Sequence, residues 1–143
     1  HQARAEDGMR VATYYADAGI DADVQPFFDD VPKRMSEAQL VITRAGASTI
    51  ADLTVIGRPA IFVPLAAAIR DEQTANARQM VDAGAAILMP ESEFAAPALA
   101  EQIMAILTDG AAALKMSQMA TACGKPDATE RLVALVEDLA AKE

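Results

Sequence analysis

The stretch LVITRAGASTIADL (residues 40–53) decides the fold. An apolar run breaks off into small residues, and a helix-like pattern then starts with almost no loop between them. If the helix begins near Ala47, the backbone N–H groups of Ala47, Ser48 and Thr49 have no partner inside it, and Gly46 with its small neighbours lets a ligand approach them. Unpaired donors and the helix dipole together make an anion site that needs no lysine. Asp52 follows Ser48 by one helical turn on the same side. Its carboxylate can accept hydrogen bonds from two neighbouring hydroxyls, as a ribose offers, but would repel a phosphate placed directly on it. A phosphate at the helix tip and a ribose one turn deeper satisfy both. The alternative is local: Thr49-x-x-Asp52 also has the spacing of a capping box.

Outward from this stretch, strand-like and helix-like segments alternate. Short β-type runs occur at ADVQPFF (22–28), QLVITR (39–44), RPAIFVPL (58–65) and AAILMP (85–90). The segments between them, DDVPKRMSEA, ASTIADLTVIG and DEQTANARQMVDAG, each open on a capping-type residue, and the last two close on Gly57 and Gly84. Strand then helix, repeated, predicts right-handed βαβ units and a parallel sheet. The middle runs are nearly all apolar, as in strands covered by helices on both faces. From Phe94 onward the pattern is helical only. With no linker, repeat or low-complexity tract, the sequence reads as a single α/β domain. It opens on HQARAEDGMRVATYYADAG, a loop and a helix with no strand before them, where an α/β domain would normally begin with a strand near the middle of its sheet. That order suggests a piece of a longer chain.

Composition narrows the function. Over half of the 143 residues are hydrophobic, enough for one real core. No apolar run approaches the roughly 20 residues needed to cross a bilayer, and the chain reads as cytosolic. A single cysteine, Cys123, and a single histidine, His1, leave too few ligands for a zinc site, and neither a metal nor a cofactor is expected. The net charge of −9 argues against nucleic acid and anionic lipid. The methionines Met80, Met104, Met116 and Met119 fit helix packing.

Ligands of open parallel sheets sit beyond the carboxyl ends of the strands, so two further loops carry candidates. In PLAAAIRDEQTANA (64–77), Gln73 and Asn76 fall on one helical side with Glu72 adjacent, and carboxylate and amide groups are those that read sugar hydroxyls. Alternatively Asp71 caps this helix and the others face water. In PFFDDVP (26–32), one phenylalanine should enter the core and the other face the loop, Asp29 or Asp30 should start a helix with Pro32 in its first turn, and the backbone edge at Phe28 could pair with a flat base.

Taken together, HQARAEDG, FFDDVPKRMSEAQLVITRAGASTIADL, GRPAIFVPL, DEQTANA, DAGAA and PDATERL resemble, in this order, the C-terminal domain of the MurG family of bacterial glycosyltransferases. The resemblance covers essentially the whole chain. It implies the GT-B fold, two Rossmann-like domains facing a cleft. It also implies transfer of N-acetylglucosamine from UDP-N-acetylglucosamine to lipid I, with inversion, making lipid II for the cell wall at the cytoplasmic face of the inner membrane, in support of cell division and shape. Carried over by position, Phe28 contacts uracil through its backbone, and Gly46, Ala47, Ser48 and Thr49 face the diphosphate. Asp52 stands where the family has a ribose-binding glutamate, and Glu72 and Gln73 fall where paired polar side chains contact the sugar. Arg44 and Asn76 complete the candidate set. Asp52 is one methylene shorter than the family residue, and Glu72 stands where histidine or glutamine is common. The N-terminal domain that takes the lipid I acceptor and touches the membrane is expected upstream of His1, as are the opening strands of this domain, and the catalytic base is unassigned. Rival readings are a glycolipid-forming GT-B enzyme, a sugar-nucleotide epimerase and a non-catalytic nucleotide-binding module.

Expressed by itself, the stretch is predicted to bury too little to be stable and to show no turnover; a cooperative melt with measurable transfer would contradict this.

Overall fold

Three parallel strands form at the centre of the apolar runs. The computed structural model describes residues 1–67 and 71–142, and its strands are β1 (Val41–Thr43), β2 (Ala60–Phe62) and β3 (Ala86–Leu88), in the order β1-β2-β3. The register pairs Val41 with Ala60 and Ala60 with Ala86, and continues without a slip to Thr43, Phe62 and Leu88. Each strand is shorter than its apolar run because prolines bracket the central one: Pro59 and Pro64 cannot donate to a ladder. The crossovers are helical, as predicted: α3 (Ala47–Ile56) joins β1 to β2, and α4 (Glu72–Asp82) lies between β2 and β3.

Side-chain alternation along β2 divides the core into two clusters. Ala60 and Phe62 meet Leu53 of α3 and Ala77 and Met80 of α4 on one face. Ile61 meets Met89 and Ile106 on the other, where α5 (Ala96–Leu107) lies. The helix α6 (Gly110–Cys123) serves both, with Ala113 and Met116 packed on the second cluster and Met119, Ala120 and Cys123 on the first. Burial of both faces of β2 is what its uninterrupted apolar sequence requires. The last helix, α7 (Ala128–Ala140), is amphipathic yet has no buried residue, and its Leu132, Leu135 and Leu139 are exposed. Met104 on α5 is likewise exposed rather than packed.

The helix ends were legible in part. Gly57 and Gly84 both adopt left-handed φ, 74° and 72°, as the ends of α3 and α4. Neither capping alternative holds, however. The N-cap of α3 is Gly46, with no side chain bonded to it, so Thr49 and Asp52 lie inside the helix. Asp71 flanks α4 in a left-handed conformation, φ 54°, and makes no side-chain cap bond. The preceding part of that loop, residues 68–70, falls outside the described residues.

By contact the chain forms two units, His1–Arg34 and Met35–Glu143. The first contains α1 (Ala5–Asp17) and the start of α2 (Val31–Glu37). Its run at 22–28 does not become the predicted strand. It makes one isolated parallel bridge, Gln2 with Gln25, held by Ala3 N–H to Gln25 O at 3.0 Å and Gln25 N–H to His1 O at 3.1 Å. Pro26 then supplies no N–H and the ladder stops.

Where α3 ends, a side chain on Gly57 would run into Thr121 Oγ1 of α6, and Ser117 Oγ already donates to Gly57 O at 2.7 Å. At Gly84 the same position is open space. Gly84→Ala should therefore cost about 1–2 kcal/mol for the left-handed backbone, and Gly57→Ala roughly 1–3 kcal/mol more for overpacking. Denaturant unfolding of the complete protein measures both; equal losses would show that α6 is not seated on this turn.

Candidate functional site

The candidate residues of the second unit gather where β1 and β2 end. Gly46, φ −68° and ψ 143°, turns the chain out of β1, and its carbonyl accepts the first bond of α3 from Ile50 N–H at 3.0 Å. The N–H groups of Ala47, Ser48 and Thr49 precede that bond and have no acceptor within the helix. Ala47 and Ser48 are exposed. Nothing in the backbone demands glycine at position 46, because its φ is ordinary and an added Cβ would meet only Thr49 Oγ1, at 3.8 Å. What the missing side chain leaves is room in front of the helix tip. Asp52 is exposed on α3, and Glu72 is exposed as the first residue of α4.

Behind the tip the chain is fastened. Ala45 is fully buried. Its N–H donates to Gln73 Oε1 at 3.3 Å, and its carbonyl accepts from Asn76 Nδ2 at 3.2 Å. Gln73 Oε1 also accepts the N–H of Leu65, beyond β2, at 2.9 Å. The predicted helical side shared by Gln73 and Asn76 is thus real, and it faces backbone as well as the loop region.

Arg44 is engaged sideways. Its Nη1 donates to Val63 O at 3.0 Å and Pro64 O at 3.1 Å, and lies 2.5 Å from a carboxylate oxygen of Glu91. The other Glu91 oxygen accepts from Ala66 N–H at 3.2 Å. The Arg44 guanidinium first, and the Ala66 amide second, hold the Glu91 carboxyl below its usual range. Glu91 ties the ends of β1 and β2 to the segment after β3, a role absent from the sequence-based set. Its position just beyond the third strand, behind Met89 and Pro90, is the signal that could have found it.

Phe28 belongs to the first unit. Its ring is buried under the Arg34 guanidinium, 4.1 Å from the ring centroid, while Phe27 is exposed. One ring in and one ring out matches the expectation, and a flat base could meet Phe28 only through its backbone. Arg34 in turn pairs with Asp23 and Asp30 at 2.8 and 2.6 Å.

A parallel sheet whose strands hand over through short turns to covering helices, with an uncapped helix amino end behind an open glycine, defines the Rossmann-like class of α/β domain. The chain belongs to the glycosyltransferase family 28 C-terminal domain family, which it matches over residues 1–132. It is 50% identical over 131 residues to a Rhodospirillum centenum protein named UDP-N-acetylglucosamine–N-acetylmuramyl-(pentapeptide) pyrophosphoryl-undecaprenol N-acetylglucosamine transferase, a match covering 92% of this chain and 35% of that protein. A Paramagnetospirillum magneticum protein of the same name is 46% identical over 142 residues, covering 99% of this chain and 38% of that one. The chain therefore spans between a third and two fifths of the length of these relatives. Among solved structures, the crystal structure of Acinetobacter baumannii MurG is 35% identical with a TM-score of 0.86, covering 96% of this chain and 42% of that one. A kitacinnamycin glycotransferase, 23% identical with a TM-score of 0.62, shares the fold.

Glu91→Gln keeps an acceptor for the Ala66 amide and removes the ion pair. Since the folded carboxyl titrates below the ordinary 4.5, its contribution to stability is complete above that value and is lost as the pH falls through the lower, folded one. The variant should melt below the parent near neutrality, with the gap closing under acid. A gap that stays constant across that range would mean that charge is not its source.

Proposed function

We propose that this chain is the donor-binding part of an enzyme that moves N-acetylglucosamine from UDP-N-acetylglucosamine to lipid I, forming lipid II, at the cytoplasmic face of the bacterial inner membrane. The names of the relatives support the reaction. The observation on the chain itself that carries the reading is the bare amino end of α3, with its cap position empty of side chain. As the bond between the anomeric carbon and UDP breaks, negative charge grows on the diphosphate. N–H donors already aimed at that spot stabilise it without reorganising, the most effective form of electrostatic catalysis. A neutral cradle suits a chain of charge −9, where only dipoles and local geometry can favour an anion; screening over about 8 Å limits the opposing field of distant carboxylates.

In this reading Gly46, Ala47, Ser48 and Thr49 meet the diphosphate and Asp52 accepts from the ribose hydroxyls. Glu72 accepts sugar hydroxyl hydrogens and the free amide end of Gln73 donates. We assign lipid I and the membrane contact to parts of the enzyme outside this chain; the relatives are between two and three times its length.

Calorimetric titration of the complete protein with UDP tests the assignment. Gly46→Asp should cap the helix, changing stability by only a few tenths of a kcal/mol in its favour, while its carboxylate occupies the phosphate position and weakens UDP by at least about tenfold, roughly 1.4 kcal/mol. Asp52→Ala should weaken UDP by about 1.5–3 kcal/mol and erase the preference over 2′-deoxy-UDP. Unchanged UDP affinity in Gly46→Asp would dispose of the phosphate site.

A further inference from the structure

The two amide side chains on the first turns of α4 have opposite hydrogen-bond polarity, and both act on one residue. Gln73 and Asn76 are three apart, so they stand side by side on the helix surface. Gln73 accepts from the N–H of Ala45, and Asn76 donates to its carbonyl. A backbone N–H can only donate and a carbonyl can only accept, so the orientation of each amide is fixed by its partner. Gln73 Oε1 carries a second N–H, that of Leu65, so the same oxygen joins the loop after β1 to the loop after β2.

Ala45 has no strand partner of its own at this point. β1 ends at Thr43, yet Ala45 is fully buried. Its two polar backbone groups must be satisfied away from water, and α4 satisfies both, standing in for the strand that a longer ladder would provide. Ala45 is followed directly by Gly46, whose carbonyl is the first acceptor of α3. Where the Ala45 peptide is held therefore decides where the Ala47, Ser48 and Thr49 amides point.

We propose that Gln73 and Asn76 are positioning residues for the donor's diphosphate, working through the Ala45 peptide and independently of the sugar. The inference rests on the donor-site reading above, but it differs from that reading in what it requires of Gln73. A residue that only touches the transferred N-acetylglucosamine has no influence on UDP, which lacks that group. A residue that aims the helix tip affects UDP and UDP-N-acetylglucosamine alike.

The experiment uses the complete protein, with UDP and UDP-N-acetylglucosamine titrated separately into four variants. Gln73→Glu retains an acceptor oxygen; Gln73→Met has similar length and no comparable acceptor; Asn76→Asp keeps the shape and loses the donor; Asn76→Ala removes the group. Gln73→Glu and Asn76→Asp add the same charge at nearly the same place, so the difference between them reads hydrogen-bond polarity alone. Gln73→Met and Asn76→Asp are expected to weaken both ligands by tenfold or more, and Gln73→Glu to stay within about threefold of the parent for UDP. Amide hydrogen exchange at Ala45 and Leu65 should quicken in Gln73→Met and remain slow in Gln73→Glu. Normal UDP affinity in Gln73→Met, with a loss confined to UDP-N-acetylglucosamine, would overturn the proposal, as would equal losses in Gln73→Glu and Asn76→Asp. Should Gln73→Met fail to fold, the Gln73→Glu and Asn76→Asp pair carries the same decision. A parent protein that does not bind UDP at all would refute the donor-site reading instead, and exchange at Ala45 and Leu65 would still decide whether the clamp exists.

Discussion

A buried peptide just past the end of a strand must find its hydrogen bonds somewhere, and at Ala45 that constraint organises the site. The ladder has run out, water is excluded, and the neighbouring backbone has already turned away into α3. Two side chains of α4 resolve the problem. In doing so they bind α4 to the β1 turn and, through Leu65, to the end of β2. Precision at the helix tip thus comes from satisfying a backbone group that would otherwise be costly to bury. Support behind the tip leaves the face in front of it empty.

Charge is handled by a similar separation. Arg44 stands two residues before the open glycine, where a direct phosphate contact would be natural for an arginine. Its guanidinium is instead turned to the carbonyls of Val63 and Pro64 and to Glu91. That pair is partly exposed and contributes modestly to stability, but it joins segments following all three strands. The tip of α3 itself, Gly46 to Thr49, is left without a formal charge.

Much of this was legible in residues 40–53 and in the two glycines that follow the helical patterns. The strand, the abrupt handover, the helix start at Ala47 and the left-handed endings at Gly57 and Gly84 follow from local chemistry, because small residues and glycine have few other uses in such places. The run at 22–28 misled because apolar content alone does not make a strand: a ladder needs a partner and a donor, and Pro26 withdraws the donor. Capping by Asp71 or by Thr49 and Asp52 looked plausible on spacing, yet spacing cannot say whether a loop enters the helix from the required direction. The clamp on Ala45 lay beyond reach for a different reason. Its partners are 28 and 31 residues away in sequence, and nothing local marks an amide as destined for another segment's backbone. Glu91 differs, since its place just beyond β3 marks it for scrutiny, and only its pairing with Arg44, 47 positions earlier, is hidden in the same way.

The placement of α6 has a further consequence. One helix presses its first half on the layer around Ile61 and its second half on the layer around Phe62, while also meeting the glycine that ends α3. Neither layer can loosen without withdrawing support from the other. The two faces of this small sheet are thereby yoked into one cooperative unit of opening, so the tip of α3 inherits rigidity from a helix that never approaches it in sequence.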